Sequence, residues 1–309
     1  MLPDRKISTD YVSIIKGTFA GFFNDDSFLY AASIAFSTIF SLPAIIIIAL
    51  SIGSAFYERD LVQQELINQI GALIGRESID QIEKIILNAT YDMSSNLARV
   101  IGIATLVFSA TTVFVSLQTS LNNMWGIKPK PEKGWVKYII NRLLSFAVVI
   151  SFGFVLLVSL IIDTILVLVQ NKVNIVVDGL TPYLVTGVNL VVSLGIITLI
   201  FALLFKILPD ARIQWRDVRV GAFITTILFT LGKYLIGVYL GNSSINSAYG
   251  AAGSFVVILI WVYYSTLIFL FGAEFTSVYA AQKGTGIIPK KNAVKFKKVE
   301  IAENNYEKN

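Results

Sequence analysis

The 309-residue sequence contains no cysteine and no histidine. Without thiols there can be no disulfide, no cysteine-held iron–sulfur cluster and no thiolate nucleophile. Without imidazole there can be no histidine-ligated zinc and no Ser-His-Asp triad. Charge is scarce as well: 15% of residues are Asp, Glu, Lys or Arg, against about 25% in an ordinary soluble domain. A carboxylate-only magnesium site is chemically open, but the sequence points to no metal, no cofactor and no enzyme chemistry.

Apolar length fills the place of charge, with 55% of residues hydrophobic. Six apolar runs, at 28–55, 97–125, 143–169, 183–204, 220–240 and 254–273, are each long enough for a helix rising about 1.5 Å per residue to cross a hydrocarbon core of about 30 Å. The predicted fold is all-α: a polytopic membrane protein with six transmembrane helices. The first 26 residues are mixed in polarity and the first run is too long for a signal-peptide core, so it reads as an uncleaved anchor. Three regions follow: an interfacial segment at 1–26, a membrane domain at 27–282 and a basic tail at 283–309.

The net charge of +5 falls in short blocks between these runs, which is the pattern of membrane topology rather than of nucleic-acid binding. The N-terminus, the second and fourth links and the tail hold 19 Lys and Arg residues, and the three opposite links hold 5. Both termini are therefore expected on the cytoplasmic side.

Residues 7–23 place Ile7, Tyr11, Ile14 or Ile15, Thr18 and Phe22 at helical spacing, as an interfacial helix or a partner-binding one would. Asp25, Asp26 and Ser27 then cap the first span or form a cation or proton site. Ser33, Ser37 and Ser41 recur every four residues on that span, a face suited to close helix contact, and Pro43 removes one backbone bond. The acidic insertion at 56–95 predicts two amphipathic helices. One carries Val62, Leu66, Ile70 and Leu73 or Ile74; the other carries Ile79, Ile82 and Ile86 behind Ser78 and Gln81.

The second span carries Ser109, Thr112, Ser116, Thr119 or Ser120, and Asn123 on one face, which lipid would penalise. That face is expected to point inward, for hydrogen bonding between helices or as a water-lined pathway. Gly237 and Gly241 form a GxxxG contact motif in the fifth span. Three ionisable residues need partners or a function, because each costs at least about 2.5–3.5 kcal/mol at a helix centre. Asp163 and Lys233 lie at similar depth and form an expected ion pair. Glu274 ends the sixth apolar run, with Arg216, Arg219 or Arg142 as its expected salt-bridge partner, or with proton or ion coupling as its role.

Five fragments, LYAASIAFSTIFSLP (29–43), LQTSLNNMW (117–125), ILPDARIQWRDVRVGA (207–222), YGAAGS (249–254) and WVYYS with FGAEF (261–275), stand in this order on the spans. Together they resemble the YihY/BrkB family of bacterial inner-membrane proteins. The resemblance implies six membrane helices and adds Pro43, Asn122, Trp125, Pro209, Trp215, Arg216, Tyr249, Gly250, Trp261, Gly272 and Glu274 as motif positions. Its members carry the labels transporter, serum-resistance or virulence factor, and ribonuclease BN. Phosphodiester hydrolysis needs clustered metal ligands or an acid–base pair, and this chain has no histidine and only scattered cytosolic acids. Nuclease activity and a nucleic-acid partner are therefore not expected. Two readings remain: a transporter or flippase-like carrier of a lipid-like or anionic amphipathic substrate, or a scaffold for envelope assembly. Anionic lipid headgroups, a second copy of the chain and an envelope protein are the expected partners.

Overall fold

In the computed structural model, residues 11–74, 83, 108, 112–130, 181–241, 249 and 253–297 are described. The third span with Asp163, the second outer helix with Ile79, Ile82 and Ile86, and Ser109, Arg142, Gly250 and the end of the tail lie outside them.

Seven helices carry the fold among the described residues: α1 (Tyr11–Asn24), α2 (Ser27–Gly53), α3 (Arg59–Ile74), α4 (residues 112–124), α5 (Thr181–Ile207), α6 (Trp215–Gly241) and α7 (Gly253–Lys283). Four of them, α2, α5, α6 and α7, contain stretches long and apolar enough to cross a membrane. The described residues thus account for the first, fourth, fifth and sixth expected spans, and α4 lies within the second. Two boundaries differ from the sequence reading. Helix α6 starts at Trp215, ahead of the apolar run at 220–240, because the Gln214 carbonyl accepts the Asp217 and Val218 amides. Helix α7 runs nine residues past Glu274, and α1 packs along that extension.

Helix α7 is the hub, in contact with α1, α2, α3 and α6. Between α6 and α7 the contact is reciprocal. Gly221 of α6 faces the Thr276 side chain, and Gly272 of α7 faces the Thr225 side chain, each so closely that a Cβ would overlap the threonine hydroxyl. Each threonine hydroxyl donates to the carbonyl of the glycine four residues before it, Thr225 to Gly221 and Thr276 to Gly272, both at 2.7 Å. Polar groups buried in an apolar bundle are thereby satisfied within their own helices, and the two backbones approach. Gly237, by contrast, has no atom within 4 Å of where its Cβ would lie. The close helix contact comes from these Gly-xxx-Thr pairs, and Gly237 of the GxxxG motif takes no part in it.

Aromatic rings extend the same core. Phe205 and Phe269 stack at 5.2 Å, Phe201 meets Phe229 edge-on at 5.6 Å, and Phe229 meets Trp261 at 6.1 Å, tying α5 and α6 to α7. Helix α3 closes the opposite end, with Val62 and Leu66 buried against Ile46, Leu50 and Ile258, as its predicted apolar face requires. The Gly53 Cα lies directly beneath Val62.

Helix α1 runs antiparallel along the end of α7. Ser13 bonds Gln282 at 3.2 Å, Gly17 meets Val278, and Gly21 meets Glu274, a ladder stepping four residues at a time on both helices. Ile14, Thr18 and Phe22 are buried, while Val12, Ile15, Phe19 and Phe23 form an exposed apolar face. The chain then turns at Asp26, whose φ of 56° is a left-handed conformation that a short polar residue tolerates. The Asp26 carbonyl accepts the Tyr30 amide and so starts α2.

The threonine lock makes a sharp prediction. Gly272→Ala overpacks the α6–α7 contact and should cost about 1–3 kcal/mol, read as a lower thermal midpoint in detergent, whereas Gly237→Ala should leave the midpoint unchanged.

Candidate functional site

The ends of α4, α5 and α7 and the start of α6 meet at one end of the bundle, and the segment after α7 binds them together. Strand β1 (Ile127–Pro129) follows α4, and β2 (Ala211–Arg212) lies in the turn between α5 and α6. Beyond α7 come β3 (Ile288–Pro289) and β4 (Ala293–Lys295). Strand β4 pairs antiparallel with β1, placing Lys295 opposite Ile127 and Val294 opposite Lys128. Strand β3 pairs with β2, placing Ile288 opposite Arg212. The first part of the expected tail is therefore a strap across the bundle end. It forms because the loops at 127–129 and 211–212 offer unpaired backbone edges, which an extended segment satisfies.

Beneath the strap lies a buried polar cluster. Asn122 Nδ2 donates to Asp210 Oδ2 at 3.0 Å, and the Asp210 amide donates back to Asn122 Oδ1 at 2.8 Å. The Asp210 carbonyl accepts the Lys290 amide at 2.9 Å, and Lys290 Nζ reaches the Pro209 carbonyl at 2.7 Å. Lys290 thus places its charge on carbonyls beyond the end of α5, where the helix dipole favours a cation. Lys206 donates to the Ile213 carbonyl and lies 5.6 Å from the Trp215 ring centroid. Buried Trp125 donates its indole N–H to the Ala273 carbonyl at 3.1 Å, one residue before Glu274.

Two buried acids stand out. The Glu274 carboxylate rests on the Cα of Gly21, and its Oε2 has no hydrogen-bond partner. Arg216 and Arg219 are exposed, so the described residues do not show the expected salt bridge. The reason is geometric: α1 lies along the face of α7 that carries Glu274 and occupies the carboxylate's side. Asp217 is fully buried against Gly284, and both of its oxygens lack a partner.

Of the other sequence candidates, Asp25 is joined to this site, its amide bonded to the Gly21 carbonyl at 2.9 Å. Asp26 forms the adjoining turn. Gly272 serves the α7 packing, and Pro43 sits inside an unbroken α2. On α4, Ser116 meets Ser37 at 3.3 Å, linking two of the predicted small-residue faces. Thr112, Thr119 and Ser120 each donate to the carbonyl four residues earlier. Asn123 is half-buried, and its neighbour Asn122 makes the buried bonds instead. Lys233 lines an open groove of about 510 Å³ with Thr230, Tyr234, Gly237 and Val238, far along α6 from the cluster. Trp261 packs in the core with its indole nitrogen unpartnered, and Tyr249 is exposed.

Asp210 and Asp217 are not among the residues that the sequence singled out. The available signal was an acid at the third position of a helix starting at Trp215 and an acid directly after Pro209.

Comparison with known proteins reaches the same region. A family profile described as virulence factor BrkB matches residues 18–295, from α1 through β4. A UPF0761 membrane protein of Alteromonas mediterranea is 27% identical over 253 residues, covering 82% of each chain. Another from Pseudoalteromonas atlantica is 28% identical over 250 residues, covering 80% of this chain and 79% of its own. A third, from Rhodospirillum centenum, is 25% identical over 283 residues; the match covers 87% of this chain but 57% of that longer protein. No solved structure matches the chain.

Two measurements check this end of the bundle. Asn122→Ala removes two hydrogen bonds from buried Asp210 and should lower stability by about 1–3 kcal/mol, with Asp210→Ala non-additive in a double-mutant cycle. Because the chain has no native cysteine, Lys128→Cys with Val294→Cys should cross-link internally on oxidation, while neither single variant does.

Proposed function

The chain belongs to the virulence factor BrkB family, and for this integral membrane protein we propose a carrier or flippase-like role toward a lipid-like or anionic amphipathic substrate. The observation that carries the reading is a buried acid with an unpartnered oxygen, Glu274, set in a membrane-length helix against a break in the neighbouring chain. A helix contact that served packing alone would be cheaper without that charge. Broken helices beside charged groups are a recurring means of building substrate and ion sites at membrane depth.

The substrate class follows from the surroundings. Lys128, Lys130, Arg212, Arg216, Arg219, Lys291 and Lys295 are exposed on segments that the strap draws to one end, and the apolar faces of α1 and α2 begin beside them. A cationic rim next to an apolar surface suits a molecule with an anionic head and an acyl body. In this reading the basic end faces the cytoplasm of a bacterial inner membrane, with both termini inside, six spans in all, and no enzyme chemistry or nucleic acid involved.

A scaffold role in envelope assembly is the second reading. The self-satisfied hydroxyls of α4 and the tight Gly-xxx-Thr locks favour it, since both describe static packing. Reconstitution into liposomes with lipid-scrambling and proton-flux assays separates the two. The carrier reading expects activity in the wild type and its loss in a folded Glu274→Gln variant. Full activity in that variant would remove Glu274 from the mechanism, and an inactive wild type would favour the scaffold.

A further inference from the structure

The break between α1 and α2 gathers buried oxygen atoms that the packing of the helices does not use. Ser27 is 0% exposed and its Oγ has no hydrogen-bond partner; Glu274 is 6% exposed and its Oε2 has none. Leaving such atoms unpaired is costly in a dry interior. A short stretch of chain joins them: Glu274 lies on Gly21, the Gly21 carbonyl accepts the Asp25 amide, Asp26 makes the left-handed turn, and Ser27 follows it.

The electrostatics of the place have one sign. Glu274 and Asp25 are both acids, and the C-terminal end of α1, where carbonyls point along the axis, carries the negative end of its dipole. The position of Gly21 keeps the space open, since any side chain there would displace the Glu274 carboxylate. Gly21 is thus fixed by the acid rather than by backbone conformation.

We propose that this break is a binding site for an alkali cation of the sodium class, held by the Glu274 carboxylate, the Ser27 hydroxyl and backbone carbonyls at the end of α1. Such a cation satisfies the oxygens that the helices leave unpaired and balances the acid charge. Divalent ions fit less well: no group of three or more His, Cys, Asp and Glu side chains suited to a metal occurs among the described residues. Calcium and magnesium sites draw on several oxygen ligands and usually on carboxylates. Binding does not depend on the carrier reading, because it is measured without any flux.

The test uses the purified full chain in detergent, with thermal unfolding and tryptophan emission followed in NaCl against choline chloride at equal ionic strength. Trp125, bonded to the Ala273 carbonyl, is a native reporter beside the site. The expected result is a saturable rise in Tm and an emission change with sodium that choline does not reproduce. Glu274→Gln should abolish this response. Ser27→Ala, which removes a single hydroxyl and keeps the helix, should weaken the apparent affinity about tenfold, as the loss of roughly 1.4 kcal/mol would. Coincident curves in the two salts, a sodium response undiminished in both variants, or a response to pH with none to sodium would each overturn the site.

Discussion

The rest of the structure depends on how closely the backbones of α6 and α7 approach. Inside a membrane the apolar side chains of a helix gain little by meeting one another instead of lipid, so association needs close packing and satisfied polar groups. The reciprocal pairs, Gly221 with Thr276 and Gly272 with Thr225, meet both needs. Each threonine returns its hydroxyl to its own helix and offers a methyl-sized surface to the glycine opposite. With α6 and α7 fixed in this register, Phe205 and Phe269 can stack and α5 is carried along. The outer faces of α7 are left for α2, α1 and α3.

The same register decides what happens at the basic end. Since α7 continues to Lys283, the chain emerges beside the ends of α4 and α5 and can cross them as the β3–β4 strap. Three segments far apart in sequence, at 127–129, 211–212 and 288–295, thus share two small ladders, and Asn122, Asp210 and Lys290 close the space beneath. This arrangement is cooperative: each partner of Asp210 comes from a different element, so a loss at one place exposes a buried acid at another.

Glu274 is where packing and the proposed function meet. It belongs to the helix that organises the bundle, yet one oxygen of its buried carboxylate has no hydrogen-bond partner. Its neighbour on α1 is a glycine, and one turn later the chain breaks at Asp25 and Asp26. A charge placed so costs stability, and natural proteins keep such costs mainly at working sites.

Much of this was legible in the sequence. Uninterrupted apolar length dictated α2, α5, α6 and α7, because a buried backbone in lipid has to satisfy itself as helix. The buried stripe of Ile14, Thr18 and Phe22 and the α3 pair Val62 and Leu66 followed from period alone. Five ordered fragments identified the family. Other features were beyond any local pattern. Gly237 stood in a contact motif and faces nothing, whereas Gly221 and Gly272 make close contacts, because whether a small residue matters depends on what faces it. Asn122 and Asn123 are adjacent and chemically equal, and only the rotation of α4 puts the first against Asp210. A basic tail and a basic turn looked like solvated topology signals until the pairing of β2 with β3 joined them. Residue type and period determined the membrane class, the helices and the list of costly charges. Tertiary structure decided which polar groups meet, since Asn122 and Asp210, 88 residues apart, come together only when the helices pack.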